Sequence, residues 1–183
     1  FGKSSHANTQ LSIYKHVVAN LKKSIIMKIN HTFLTIFLLI TIAMTGCKSD
    51  KSEYDKMFEF GQKYTDAWNS KVPEKMASFY AEDGILTVNN GTPAVGRNQL
   101  AETAQSYMEA FPDMELTMDS LTKENGTYRY YWTFKGTNSG PNGTGNKVDF
   151  SGFEEWTMNA QGLVQKSIGT YDADDYARQL NGN

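Results

Sequence analysis

The chain has 183 residues, with 18 Lys and Arg against 20 Asp and Glu and a formal net charge of −2. Five of the 18 cations precede Cys47 and no acidic residue does, so the part from Cys47 onward sets 13 Lys and Arg against all 20 acids, a formal charge of −7. That sign argues against nucleic acid or an anionic membrane surface as a docking partner, because both require a basic patch.

Residues 1–26 precede Met27, a candidate initiator, and read as an upstream extension outside the mature protein. Residues 27–46 have the layout of a secretory signal: Lys28 at the start, an apolar run from Phe33 to Ala43, and small residues before a cysteine. The run supplies about half of the roughly 20 apolar residues that a membrane span needs. The stretch Met44-Thr45-Gly46-Cys47 resembles the bacterial lipobox, which implies cleavage before Cys47 and lipidation of its new N-terminus. The alternative is a buried helix with one chance cysteine, against which stand the uniformity of the run and its bracketing residues. The expectation is export to the bacterial cell envelope and a firm lipid anchor at Cys47, the only membrane contact, followed by a polar tether to residue 53. Cys47 is the only cysteine, so no disulfide framework supports the fold.

His6, His16 and His31 all precede Cys47. The usual His/Cys zinc site and any His-based triad are therefore excluded from the mature chain. Proton transfer near neutral pH falls to a carboxylate of raised pKa, a lysine of lowered pKa or a tyrosine.

From Tyr54 to Asn69, helical spacing of Tyr54, Met57, Phe58, Gly61, Tyr64, Thr65 and Trp68 predicts an amphipathic helix. Pro73 suits the first turn of a second helix running to Asp83-Gly84, and Ile85 to Val88 is a short β-rich segment. Arg97 to Phe111 carries one apolar stripe and stops before Pro112, a third helix. Sheet follows. Met114 to Thr122 alternates, Asn125-Gly126 marks a tight hairpin, and Tyr128, Tyr130, Trp132 and Phe134 share a face. Gly136 to Lys147 reads as a mobile loop. Val148 to Met158 alternates again, and Ala160-Gln161-Gly162 turns into the last strand. The whole describes one α+β domain over residues 54–183, long enough to bury roughly two-thirds of its unfolded surface.

The segments AWNSKVPEKMASFYAEDG, VGRNQLAE, FPDMEL, GTNSG, FSGFEEW and GLVQKSIGTYD, in this order and spacing, resemble the SnoaL-like branch of the nuclear transport factor 2-like superfamily. The resemblance runs from about Tyr54 to Asp172. It implies a cone-shaped, curved antiparallel sheet packed on three N-terminal helices, with an apolar cavity and, in many members, dimerisation through the sheet. The family contains polyketide cyclases, dehydratases and isomerases beside members that only bind ligands or assemble. Its acid/base aspartate near the end of the last strand falls on Asp172. Ser167 and Asn138 stand where many relatives carry histidine, which argues against a His-assisted cyclase mechanism.

Two carboxylates are the candidate catalytic groups. Asp172 opens the run Asp-Ala-Asp-Asp-Tyr and is equally a helix N-cap. The run lacks the Gly and distal Glu of a calcium loop, and no metal or cofactor is expected. Alternation places Glu154 on the face of Phe150 and Trp156, where a carboxylate needs a partner or takes a raised pKa. Against this, Glu154 pairs with Lys135, Arg129 or Lys166, or a bulge at Gly152 turns Glu155 inward instead. Trp68, Asn69, Tyr80, Tyr107, Trp132 and Trp156 are the candidate ligand contacts, although aromatics at such spacing also build plain cores. The leading expectation is a lipid-anchored domain that holds a small apolar or aromatic molecule, with carboxylate acid/base isomerase, cyclase or dehydratase activity as its enzymatic form. The alternative is a non-catalytic module that assembles as a homodimer.

Overall fold

A computed structural model of the chain describes residues 52–183. The signal segment and Cys47 lie outside the described residues. Helix α1, Glu53–Asn69, starts where Ser52 can cap it: the Ser52 hydroxyl accepts from the Asp55 amide at 3.1 Å and the Asp55 carboxylate accepts from the Ser52 amide at 3.3 Å. Its C-terminal half buries Tyr64, Thr65, Ala67 and Trp68, whereas Tyr54 and Phe58 on the first turns stay exposed.

The second helix is shorter than the sequence predicts. Helix α2 covers only Pro73–Ala77, and Tyr80 already begins strand β1, Tyr80–Val88. Tertiary burial overrides local propensity here. Tyr80 and Ala81 enter the core, and β1 carries an irregularity between Tyr80 and Ile85 that absorbs the polar Glu82 and Asp83. A two-residue strand β2, Ala94–Val95, precedes helix α3, Gly96–Ala110, which ends two residues before Pro112. Strands β3 (Glu115–Glu124), β4 (Thr127–Thr137), β5 (Lys147–Met158) and β6 (Val164–Tyr171) follow, and helix α4, Ala173–Leu180, closes the chain.

The six strands form one curved sheet in the order β2-β1-β6-β5-β4-β3. The expected curved, mainly antiparallel sheet is present, with one parallel pairing, between β1 and β6. The cause is connectivity. The turn at Asn159 fixes β6 antiparallel to β5, and β1 enters from α2 in the direction that β6 already has. The β3–β4 hairpin turns on Asn125 and Gly126, at φ 49° and 82°, the left-handed pair that a two-residue hairpin requires.

Across β4–β5 the register runs without a break, pairing Trp132 with Gly152 and Tyr130 with Glu154. Gly152 is there because the Trp132 ring lies against it. A Cβ on Gly152 would sit 2.5 Å from that ring. Unbroken alternation therefore sends Val148, Phe150, Glu154 and Trp156 inward and leaves Glu155 outside, paired with Arg129 at 2.6 Å.

The segment between β4 and β5 is tied down rather than free. Asn138 accepts from the Thr144 amide at 2.8 Å and donates to Ala110 O at 3.3 Å, and the Gly140 amide donates to Ala110 O at 3.2 Å. Asn69, at the end of α1, clamps the sheet to the helix layer: its side chain donates to Leu116 O at 2.8 Å and accepts from Leu116 N at 2.7 Å. Asn69→Ala is expected to lower stability by about 1–3 kcal/mol, since it strands two partly buried backbone groups. Urea unfolding with an unchanged midpoint would show that the clamp contributes nothing.

Candidate active site

Glu154 lies in the middle of β5 with 7% of its surface exposed, and among the described residues no cation pairs with it. The cations considered as its partners go elsewhere: Arg129 to Glu155 and Lys135 to Asp149. Four neutral side chains serve it instead. Ser167 Oγ donates to Oε2 at 2.6 Å and Trp156 Nε1 at 2.8 Å. The Tyr80 hydroxyl donates to Oε2 at 3.2 Å, and the Tyr64 hydroxyl reaches Oε1 at 3.1 Å and Oε2 at 3.3 Å. The two tyrosine oxygens are themselves 3.2 Å apart.

Each donor is delivered by a different element. Tyr64 comes from the buried face of α1, Tyr80 from the start of β1, Trp156 from β5 and Ser167 from β6. Trp156 is held in turn by a stacked contact with Tyr130, centroids 4.7 Å apart, and an edge contact with Tyr64 at 5.2 Å. Such pairs contribute about 0.5–1.5 kcal/mol each beyond their buried area.

Burial pushes the Glu154 carboxyl above its ordinary range, and the hydroxyl and indole donors pull it only part of the way back. Burial also raises the Tyr64 and Tyr80 hydroxyls well above theirs, reinforced by the charge of Glu154. Both tyrosines are therefore neutral donors throughout the physiological range.

In front of Glu154 is a cavity of about 60 Å³. Its walls are mainly rings and aliphatic chains, among them Trp68, Tyr107, Trp132, Phe134, Phe150 and Tyr171, and Glu154 is the sole carboxylate in its lining. Tyr176 of α4 closes over Phe150 and Tyr171, with centroids 4.9 and 5.5 Å away. The indole nitrogens of Trp68 and Trp132 are buried without a hydrogen-bond partner; that of Trp68 leans toward the Tyr64 hydroxyl without reaching bonding geometry.

The residues singled out in the sequence thus divide by position. Trp68, Tyr107, Trp132 and Glu154 meet at the cavity. Tyr80 and Trp156 stand behind Glu154 and grip its carboxylate. Asn69 holds the β3 backbone. Asp172 is exposed and caps α4, accepting from the Asp174 and Asp175 amides at 3.1 and 2.9 Å. Two members of the network escaped sequence reasoning. Tyr64 is one more aromatic on a helical stripe, and Ser167 was marked only by the histidine it replaces. Among the described residues no group of three or more His, Cys, Asp or Glu could hold a metal ion.

Comparison with known proteins gives the family and the fold. Residues 59–180 match the SnoaL-like polyketide cyclase family. The chain belongs to that family. Its fold is shared by a SnoaL-like polyketide cyclase from Jannaschia sp. CCS1, at TM-score 0.62 and 14% identity over 73% of this chain and 98% of that one. It is shared too by a protein of ketosteroid isomerase-like fold from Catenulispora acidiphila, solved with trimethylamine, at TM-score 0.60 and 13% identity over 67% and 92%. SalBIII, an epoxide hydrolase/cyclase-like enzyme in pyran ring formation, aligns at TM-score 0.58 and 15% identity over 67% and 95%. A search of curated proteins finds no match.

Because folding raises the Glu154 carboxyl above its ordinary value of 4.5, the folded state binds a proton more tightly than the unfolded one. The stability this confers is complete below about pH 4.5 and is lost as pH rises through the folded value. Glu154→Gln keeps an acceptor for the four donors but cannot titrate. Measured by urea unfolding, wild type should lose stability relative to Glu154→Gln as pH is raised from 4 to 8. Parallel curves would contradict a raised carboxyl.

Proposed function

We propose that this SnoaL-like domain binds a small apolar molecule in the aromatic cavity and presents Glu154 to it as an acid/base group. The observation that carries this reading is a buried carboxylate, without a cation partner among the described residues, set by four side chains in the wall of an apolar space. A chain gains no stability from such a group for its own sake, because a buried polar network of this kind is no more stabilising than a well-packed apolar core. Proton transfer is the chemistry it supplies, and a raised pKa brings its proton exchange toward neutral pH. Glu154 rather than Asp172 receives the role, since Asp172 is exposed and engaged as a cap. The trimethylamine bound to one fold neighbour and the ring-forming activity of another support a small-molecule role.

The cavity is far smaller than the roughly 300–1,000 Å³ of drug-sized sites, so the ligand is a compact one. A fragment screen on residues 48–183, followed by ¹⁵N-detected NMR, is expected to give hits that shift the indole N–H signals of Trp68 and Trp132. Gly169 lies on the cavity wall, and a Cβ there would make only ordinary contacts, 3.7 Å from Glu154 Cγ. Gly169→Ala should therefore fold normally and weaken every hit that occupies the cavity. A homodimer that binds nothing would instead support the assembly module, with the outer sheet face around Tyr131 and Phe153 as its contact surface.

The lipobox-like Met44-Thr45-Gly46-Cys47 supports a further element of the proposal, attachment to the cell envelope through Cys47. Cells expressing the full chain and fed labelled palmitate should label it, and Cys47→Ala should abolish the label. Equal labelling of both would overturn the anchor.

A further inference from the structure

Asparagine is followed by glycine at four places in the chain, Asn90, Asn125, Asn142 and Asn181. The pair is chemically reactive, because a glycine has no side chain to hinder attack by its amide nitrogen on the preceding Asn side-chain carbonyl. That attack needs the nitrogen free of other bonds and room for the backbone to turn. The fold grants these conditions unequally.

At three of the four the glycine amide is engaged. Gly91 N donates to Val88 O at 2.9 Å, Gly143 N to Gly140 O at 2.9 Å and Gly182 N to Gln179 O at 3.1 Å. Each is also hemmed in. A Cβ would stand 3.0 Å from Val88 O at Gly91, 2.2 Å from Asn138 O at Gly143 and 3.2 Å from Asn146 Nδ2 at Gly182. The tip of the β3–β4 hairpin differs on both counts. Among the described residues the Gly126 amide and the Asn125 side chain have no hydrogen-bond partner, and a Cβ on Gly126 would meet nothing within 4 Å. Both residues are exposed to water.

We propose that Asn125 is a modification site, at which this chain deamidates itself through a succinimide closed by the Gly126 nitrogen. That nitrogen gives up its proton to solvent base and bonds to Asn125 Cγ. The Cγ–Nδ2 bond breaks, and the side-chain nitrogen leaves as ammonia. Water then opens the ring. Cleavage of the bond from nitrogen to Cγ gives aspartate, and cleavage of the bond to the main-chain carbonyl carbon gives isoaspartate. Water is the only co-reactant, and nothing is oxidised or reduced.

The two products act differently on the fold. Aspartate tolerates the left-handed backbone at this position, φ 49°. Isoaspartate routes the chain through Cβ and adds a backbone carbon to the two-residue turn that pairs Glu124 with Thr127. This hairpin end also holds the start of α1, since Lys123 Nζ and the Tyr128 hydroxyl both donate to Glu53 Oε1 at 2.6 Å. Isomerisation at the tip therefore loosens α1 at its first residue.

The purified chain is incubated in water enriched in heavy oxygen, once folded and once in urea, at neutral and at mildly alkaline pH, and its peptides are read by mass spectrometry. In the folded chain the Asn125 peptide should take up heavy oxygen first, faster at the higher pH, and separate into aspartate and isoaspartate forms. The other three Asn-Gly peptides should lag by about fivefold or more, the equivalent of one net hydrogen bond that has to break first. In urea the four should react at similar rates. Amide exchange at Glu53 to Lys56 should quicken in the isoaspartate fraction and stay unchanged in Asn125→Asp, which carries the charge without the extra carbon. Faster reaction at Asn90, Asn142 or Asn181 in the folded chain would overturn the proposal, as would the same order of rates in urea. An Asn125 peptide left intact in the folded chain over a time that converts it in urea would overturn it too.

Discussion

One constraint orders this structure: a carboxylate is buried in the core, and among the described residues no cation pairs with it. Burying such a group costs several kcal/mol unless its lone pairs are filled or its proton retained. Here both happen. Two phenols, one indole and one hydroxyl converge on Glu154, and each belongs to an element whose own position is fixed by packing. The first helix must deliver Tyr64, β1 must begin early enough to bring Tyr80 inside, and β6 must sit between β1 and β5 for Ser167 to face inward. The short second helix follows from the same demand.

The aromatic content of the chain acquires a division of labour from that centre. Rings behind Glu154, namely Tyr64, Tyr130 and Trp156, are in edge or stacked contact with each other. Rings in front, including Trp132, Phe150 and Tyr171, meet in edge or tilted contacts and line the cavity. Rigid packing on one side and a gap on the other are what make a single carboxylate directional. The same organisation explains Gly152 and Gly169: one lets the Trp132 ring approach β5 closely, the other leaves room next to the carboxylate.

Position within the family and chemistry within this chain separate at Asp172 and Ser167. The resemblance points to Asp172 as an acid, yet the helix it precedes uses its carboxylate for the two free amides of the first turn. Ser167 occupies a place where relatives carry histidine, and it supplies a short neutral donor to Glu154 instead. A neutral donor lowers the proton affinity of the carboxylate less than a charged imidazolium there would.

Much of the fold was legible in the sequence because its signals are local. Stripe spacing marked the first and third helices, Asn125-Gly126 marked the hairpin through its left-handed backbone, and alternation along β5 put Glu154 on the inner face. Local signals failed between Ser78 and Gly84, where helix and strand propensities are close and burial of Tyr80 decided. They also could not choose between Glu154 and Glu155, since that depends on whether the register slips at Gly152, and only the Trp132 ring packed on that glycine fixes it. The partners of Glu154 lie 2 to 90 residues away in the chain. The sequence by itself determined which residue types could form the site, an aromatic wall and an unpaired acid without histidine. Tertiary structure alone decided which donors that acid receives, because hydrogen-bond geometry exists only after the helix layer has closed onto the sheet.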